Sequence, residues 1–179
     1  MSRWFIVLLL IGSNAYAAPS DEMERLLAER GLMVQLQEMR HSVADRTSDL
    51  ISTAMGFMGV PYRRGGNSAE TGFDCSGFVR AIYEQAKGMV LPRKASEQAA
   101  ATEIIDKKDL QPGDLVFFNT MRRAFSHVGI YLGDGKFIHS PRSGAEVRVE
   151  DMGMSYWARR FNGARRVAAS DQDGLSAKP

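Results

Sequence analysis

Cys75, His127 and His139 are the residues whose types and order could do nucleophilic chemistry in this chain of 179 residues. A cysteine attacks as its thiolate, so it needs a base to take its proton and a third group to orient that base. Cys75 has no second cysteine to pair with, which excludes an intramolecular disulfide framework and a cysteine-rich zinc module. It follows Gly72-Phe73-Asp74 and opens a stretch of helical period. There Phe78 and Ile82, then Val79, Tyr83 and Ala86, face inward before Gly88 ends the helix. Backbone N–H groups and the dipole at a helix start favour the thiolate and lower the thiol pKa. Asp74 is suited to cap that helix, although its charge opposes the thiolate. Taken alone, a cysteine at such a position is more often inert than reactive.

The two histidines lie in a region of period two. Alternation places His127, Gly129 and Tyr131 on one face of a strand, and a Gly133-Asp134-Gly135 turn returns the chain into Lys136–Ser140. If Leu132 pairs with Lys136 across a three-residue loop, His139 sits opposite Gly129, diagonal to His127 and on its face. A two-residue Asp134-Gly135 loop puts the histidines on opposite faces. In the first register one imidazole takes the thiol proton and the second holds the first in its tautomer. The same three residues could instead hold Zn²⁺ with an open position, on ligand types alone.

The elements that must position these residues follow from the rest of the chain. Hydrophobic residues make up 44% and charged residues 25%, with a net charge of +2. That balance excludes disorder and coiled-coil architecture, and it gives no nucleic-acid footprint. Residues 1–17 combine Arg3, the apolar run Trp4–Gly12 and Ala15-Tyr16-Ala17, the pattern of a cleaved signal peptide. The run is shorter than the roughly 20 apolar residues of a membrane span. No cysteine stands at the cleavage position, so the expectation is a periplasmic or secreted, non-lipidated protein. Residues 18–47 read as a helical N-terminal extension, with a stripe of Leu26, Leu27, Leu32, Leu36, Met39 and Val43 and a break at Gly31. A third helical pattern runs from Ser48 to Gly59, ahead of Pro61. Asp114–Asn119, His127–Leu132, Lys136–Ser140, Glu146–Glu150 and Ala164–Val167 alternate as strands. Residues 168–179 read as a disordered tail. Helices first and antiparallel strands second predict an α+β fold.

These segments resemble the NlpC family of secreted cell-wall cysteine endopeptidases, papain-like in arrangement. The likeness covers 48–167 and rests on Val60-Pro61-Tyr62 with Gly65-Gly66, Gly72-Phe73-Asp74-Cys75-Ser76-Gly77, Leu91-Pro92-Arg93 with Gln98, Leu110–Phe118, Ser126–Tyr131 and Phe137-Ile138-His139. Ala95 departs from a position that is often serine. The resemblance implies a papain-like domain in which N-terminal helices pack on a C-terminal antiparallel sheet of about five to six strands. It implies Cys75 as nucleophile, His127 as general base and His139 as the polar third member. Tyr62 is implied to help hold the tetrahedral oxyanion, and Asp74 and Ser76 to shape the substrate cleft. It further implies action on peptidoglycan stem peptides through a cysteine thioester, and the expectation is a monomer that needs no metal or organic cofactor. The bond is D-alanyl–diaminopimelate or D-glutamyl–diaminopimelate. An acyltransferase or transpeptidase using the same thioester, and a non-catalytic wall-binding scaffold, are the alternatives from other classes.

Overall fold

The structure, a computed structural model, describes residues 21–120 and 122–168. The leader expected at 1–17 and all but the first residue of the expected tail lie outside them. Its elements run in the order α1 (Asp21–Met55), β1 (Asn67–Ser68), β2 (Gly72–Phe73), α2 (Cys75–Lys87), α3 (Ala95–Ala100) and β3 (Glu103–Ile105). After a 3₁₀ turn at Lys107–Asp109 come β4 (Leu115–Phe118), β5 (His127–Gly133), β6 (Lys136–His139), β7 (Arg148–Asp151), α4 (Ser155–Ala158) and β8 (Phe161–Arg166). The chain divides into two compact units between His41 and Ser42.

The break expected at Gly31 does not form. α1 runs unbroken from Asp21 to Met55. A glycine inside a helix costs about 1 kcal/mol relative to alanine, which the strong helix formers around it absorb, and no proline lies between Asp21 and Pro61. In the first unit Leu32, Leu36 and Met39 of the apolar stripe are exposed, as are Met33 and Val34. No helix among the described residues is long and apolar enough to cross a membrane.

In the second unit six strands form one sheet in the order β3-β8-β4-β5-β6-β7, every neighbour antiparallel. The α+β expectation therefore holds, with the strand count at the upper end of the range. Alternation along the strands splits the core in two. Leu115, Phe117, Val128, Ile130 and Ile138 point to one face, where Phe78, Val79 and Ile82 of α2 and Leu50 and Ala54 of α1 complete a buried cluster. Val116, Phe118 and Phe137 point to the other, covered by Trp157 of α4 and by Met152. β3 is a three-residue edge strand, Glu103-Ile104-Ile105, with its first two residues exposed, too short and too open for alternation to reveal it. Arg166 of β8 clamps Asp114 at the start of β4 through two bonds of 2.7 and 2.8 Å, fixing the centre of the sheet.

The β5–β6 hairpin combines both anticipated loop geometries. Its turn is the two-residue Asp134-Gly135, both at positive φ (50° and 72°), with Gly133 paired to Lys136. One residue earlier the register shifts by a bulge at Leu132, so that Tyr131 pairs with Phe137 and Ile130 with Ile138. Continued along the strands, that register brings His139 across from Gly129. The bulge thus restores the facing that a two-residue loop alone would have lost.

Candidate active site

α2 begins at Cys75, as the spacing predicts, and Asp74 caps it. Asp74 is extended (φ −90°, ψ 175°), and its Oδ1 accepts from the Gly77 N–H at 2.8 Å. The helix closes on Gly88, which is left-handed at φ 67°. Around the cap the chain packs backbone against backbone. A Cβ on Gly77 would stand 2.1 Å from the Gly66 carbonyl oxygen, so only glycine lets the 65–66 loop lie on the first turn.

A residue that sequence reasoning quoted without giving it a role, Arg93, locks this corner. Its guanidinium donates to both oxygens of Asp74, at 2.9 and 2.7 Å, to Ser76 Oγ at 3.1 Å and to the Gly66 carbonyl at 3.3 Å. Gln98 ties the same turn down, donating to the carbonyls of Ser76 and Pro92 at 3.0 and 2.9 Å. Asp74 and Ser76 therefore spend their polar atoms on each other, on Arg93 and on the backbone N–H groups of Gly65 and Gly77.

His127 opens β5, where Phe118 of β4 is its cross-strand partner. His139 closes β6 and is fully buried. The two rings stand perpendicular, and His127 Nε2 meets His139 Nδ1 at 2.7 Å. Gly129 makes this approach possible: a Cβ there would lie 2.7 Å from Phe137 Cδ2 and 3.2 Å from His139 Cβ. Trp157 stacks on His127 and sets its edge to His139.

Beyond His139 stands a group the sequence reading did not single out. His139 Nε2 lies 2.9 Å from Glu150 Oε2, which also accepts from Trp157 Nε1 at 2.9 Å. Arg148 donates to the other oxygen through Nε and Nη2, at 3.0 and 2.8 Å. Arg148 pairs with His139 and Glu150 with Phe137 across β6 and β7, so alternation puts all four on one face. A charge facing a buried histidine was in principle legible in Glu146–Glu150, but only once the β6–β7 register was known.

The electrostatics follow from burial. The Cys75 thiol is pushed up to about 11, by desolvation first and the charge of Asp74 second, against the backbone N–H groups of Val128, Ser76 and Cys75 itself. The lowering expected from the helix start is present in these N–H groups, but desolvation of the half-buried Cys75 outweighs it. The Val128 contact sets the thiol beside the residue that follows His127. Burial pushes His127 down to about 3, and the neighbouring His139 adds to that while Glu150 opposes it. His139 is lowered by burial against the pull of Glu150. Glu150 is held at about 2, chiefly by its bond from His139. Tyr62, bridged to Phe73 two residues before Cys75, has its phenol raised by burial and then by Cys75 and Asp74. The structure thus gathers Cys75, His127, His139, Tyr62, Asp74 and Ser76 around the head of α2 and the start of β5. The thiol and both imidazoles are neutral at rest.

The chain is similar to known proteins over most of its second unit. The sequence profile of the NlpC/P60 family covers residues 59–166. Murein DD-endopeptidase MepH of Escherichia coli (strain K12) is 43% identical over 128 residues, 70% of this chain and 47% of that one. Gamma-DL-glutamyl hydrolase of Bacillus subtilis (strain 168) is 41% identical over 118 residues, 65% of this chain and 28% of that one. The chain thus spans about half, or less, of the length of these relatives. The crystal structure of an NlpC/P60 family protein from Bacillus cereus ATCC 10987 superposes with a TM-score of 0.62 at 40% identity, covering 67% of this chain and 39% of that one.

Proposed function

Since the chain belongs to the NlpC/P60 family, we propose that it is a cysteine endopeptidase that hydrolyses amide bonds of peptidoglycan, on the outer side of the membrane. The observation that carries this reading is the His127–His139 bond of 2.7 Å in a buried site whose thiol stands at the start of α2. Because His127 Nε2 faces His139, the other ring nitrogen, Nδ1, is the one left to act as base.

In this mechanism Nδ1 takes the proton of Cys75 as the sulfur attacks the amide carbonyl carbon, so charge separates only when substrate is present. The new oxyanion is met by the Tyr62 hydroxyl and the Cys75 N–H. Collapse breaks the C–N bond, and the leaving amine collects the proton from His127. Water, deprotonated by His127, then attacks the thioester, and the sulfur leaves and regains its proton. Asp74, Ser76 and Arg93 form a rigid wall beside the nucleophile.

Two bonds are open to such a site, and the names of the relatives include enzymes for DD and for γ-DL linkages. We favour the D-alanyl–diaminopimelate crosslink over the D-glutamyl–diaminopimelate bond, because MepH, 43% identical to this chain, is named a DD-endopeptidase. The test is mass spectrometry of purified peptidoglycan after digestion. Crosslinked dimers falling to monomers support the crosslink; a new N-terminal diaminopimelate within single stems assigns the other bond; no new product from active-site-intact protein refutes the reading.

A further inference from the structure

We infer that Glu150 is the positioning residue that sets the protonated nitrogen of both imidazoles, and through them makes His127 Nδ1 the free base. The inference rests on the cysteine-peptidase reading above and adds a residue that the Cys75, His127, His139 arrangement does not contain.

The argument follows hydrogens along one line of contacts. Glu150 is ionised at neutral pH, and a carboxylate only accepts. Its Oε1 is filled by Arg148 and its Oε2 faces both Trp157 Nε1, which can only donate, and His139 Nε2. His139 must therefore carry its hydrogen on Nε2. A neutral imidazole has one N–H, so His139 Nδ1 is a bare acceptor. Across the 2.7 Å contact His127 Nε2 has to be the donor, and the remaining nitrogen, His127 Nδ1, is left unprotonated. One carboxylate three groups away from the thiol thus fixes the form of the base.

Among the described residues, few charged groups act along this line. The groups that act on His127 are His139 and Glu150; those that act on His139 and Glu150 are each other and Arg148. Arg148 is the more exposed partner, at 41% against 18% for Glu150, so it steadies the carboxylate without neutralising it by burial. Trp157 adds rigidity, since the ring that bonds Glu150 also lies against both imidazoles.

Selective ¹⁵N labelling of histidine in the full chain reads the ring nitrogens directly, with exposed His41 as an internal reference and His127→Ala and His139→Ala giving assignments. In the native protein at pH 7 both buried rings should show N–H at Nε2 and a bare Nδ1. A hydrogen on His127 Nδ1 overturns the inference without any variant. Glu150→Leu should mix the tautomers on both rings and lower kcat about 100-fold with KM unchanged, within the roughly 10⁴-fold ceiling for a wrongly protonated catalytic histidine. Glu150→Gln should restore part of that loss. Its amide oxygen turns toward the two donors, Trp157 and His139, and leaves the NH₂ to face Arg148. Unchanged ring-nitrogen shifts in Glu150→Leu, or equal loss in both variants with native shifts, also overturn it. If the native protein releases nothing from peptidoglycan, the peptidase reading falls while the ring-nitrogen result still decides this inference.

Discussion

Gly129→Ala is the smallest change that should separate the two imidazoles. Gly129 has ordinary strand geometry, so an alanine there meets no backbone penalty of its own; the cost is all contact. Its Cβ would lie 2.7 Å from Phe137 Cδ2, 2.8 Å from the Ile138 carbonyl oxygen and 3.2 Å from His139 Cβ. Carbon contacts relax near 3.5–4.0 Å, so β6 must retreat by roughly half an ångström to an ångström. Phe137 is wedged among Phe118, Trp157 and His139, and the carbonyl is backbone, so neither yields alone. Overpacking of this kind costs about 1–3 kcal/mol. The retreat carries His139 with it, and a displacement of about 1 Å at a catalytic group costs on the order of 100-fold in rate. The expected outcome is a urea midpoint lowered by that free energy and a kcat lowered 10- to 100-fold at temperatures where the variant is fully folded, the latter estimated from the same displacement. A variant with native midpoint and native kcat would refute the claim that Gly129 sets the spacing of the histidines.

Cys75→Ala and His127→Ala should each abolish turnover, and the double variant should be no worse, because nucleophile and base act as one unit; single-turnover assays on a crosslinked muropeptide check this. His139→Asn should keep more activity than His139→Ala, since an amide can accept from His127 and donate toward Glu150, and steady-state kcat of the pair decides it. Stability should fall as pH drops from neutral. His127, at about 3 in the fold against 6.5 when unfolded, binds its proton in the unfolded chain first, so stability is lost as pH falls from about 6.5 toward 3. Glu150, at about 2 against 4.5, contributes stability that is present above 4.5 and lost as pH falls toward 2. Urea midpoints across pH 7 to 4 should slope downward on acidification, and a flat profile would contradict the buried neutral imidazole.

Local signals in the chain were strong where one element answers to its own residues. α2 starts at Cys75 and stops before Gly88 because the cap, the apolar period and the left-handed terminus all agree. The facing of His127 and His139 was legible as a choice between two registers, and the bulge that decides it leaves no mark in residue types, since Leu132 suits either. Glu150 and Arg148 were hidden for a different reason. Each is an ordinary edge-strand residue until β7 is laid beside β6, a pairing set across a loop and by long-range packing. Gly31 misled because a single glycine is a weak breaker when its neighbours favour helix. The thiol pKa misled because a dipole can be read from position whereas desolvation depends on what closes over the site.

The bulge at Leu132 also governs how this hairpin keeps its facing at its given length. Whether two residues on neighbouring strands share a face depends on whether the number of positions between them is odd or even, once the turn is fixed. A two-residue turn has the wrong parity for His127 and His139, and the single extra residue in β5 corrects it. With the number of residues between the histidines fixed, a two-residue turn without the bulge would slide Tyr131 onto Ile138 and part the imidazoles to opposite sides of the sheet. Removing the bulged residue itself leaves the pairing of Tyr131 with Phe137 intact. Turn and bulge at this tip are thus settled jointly, by counting.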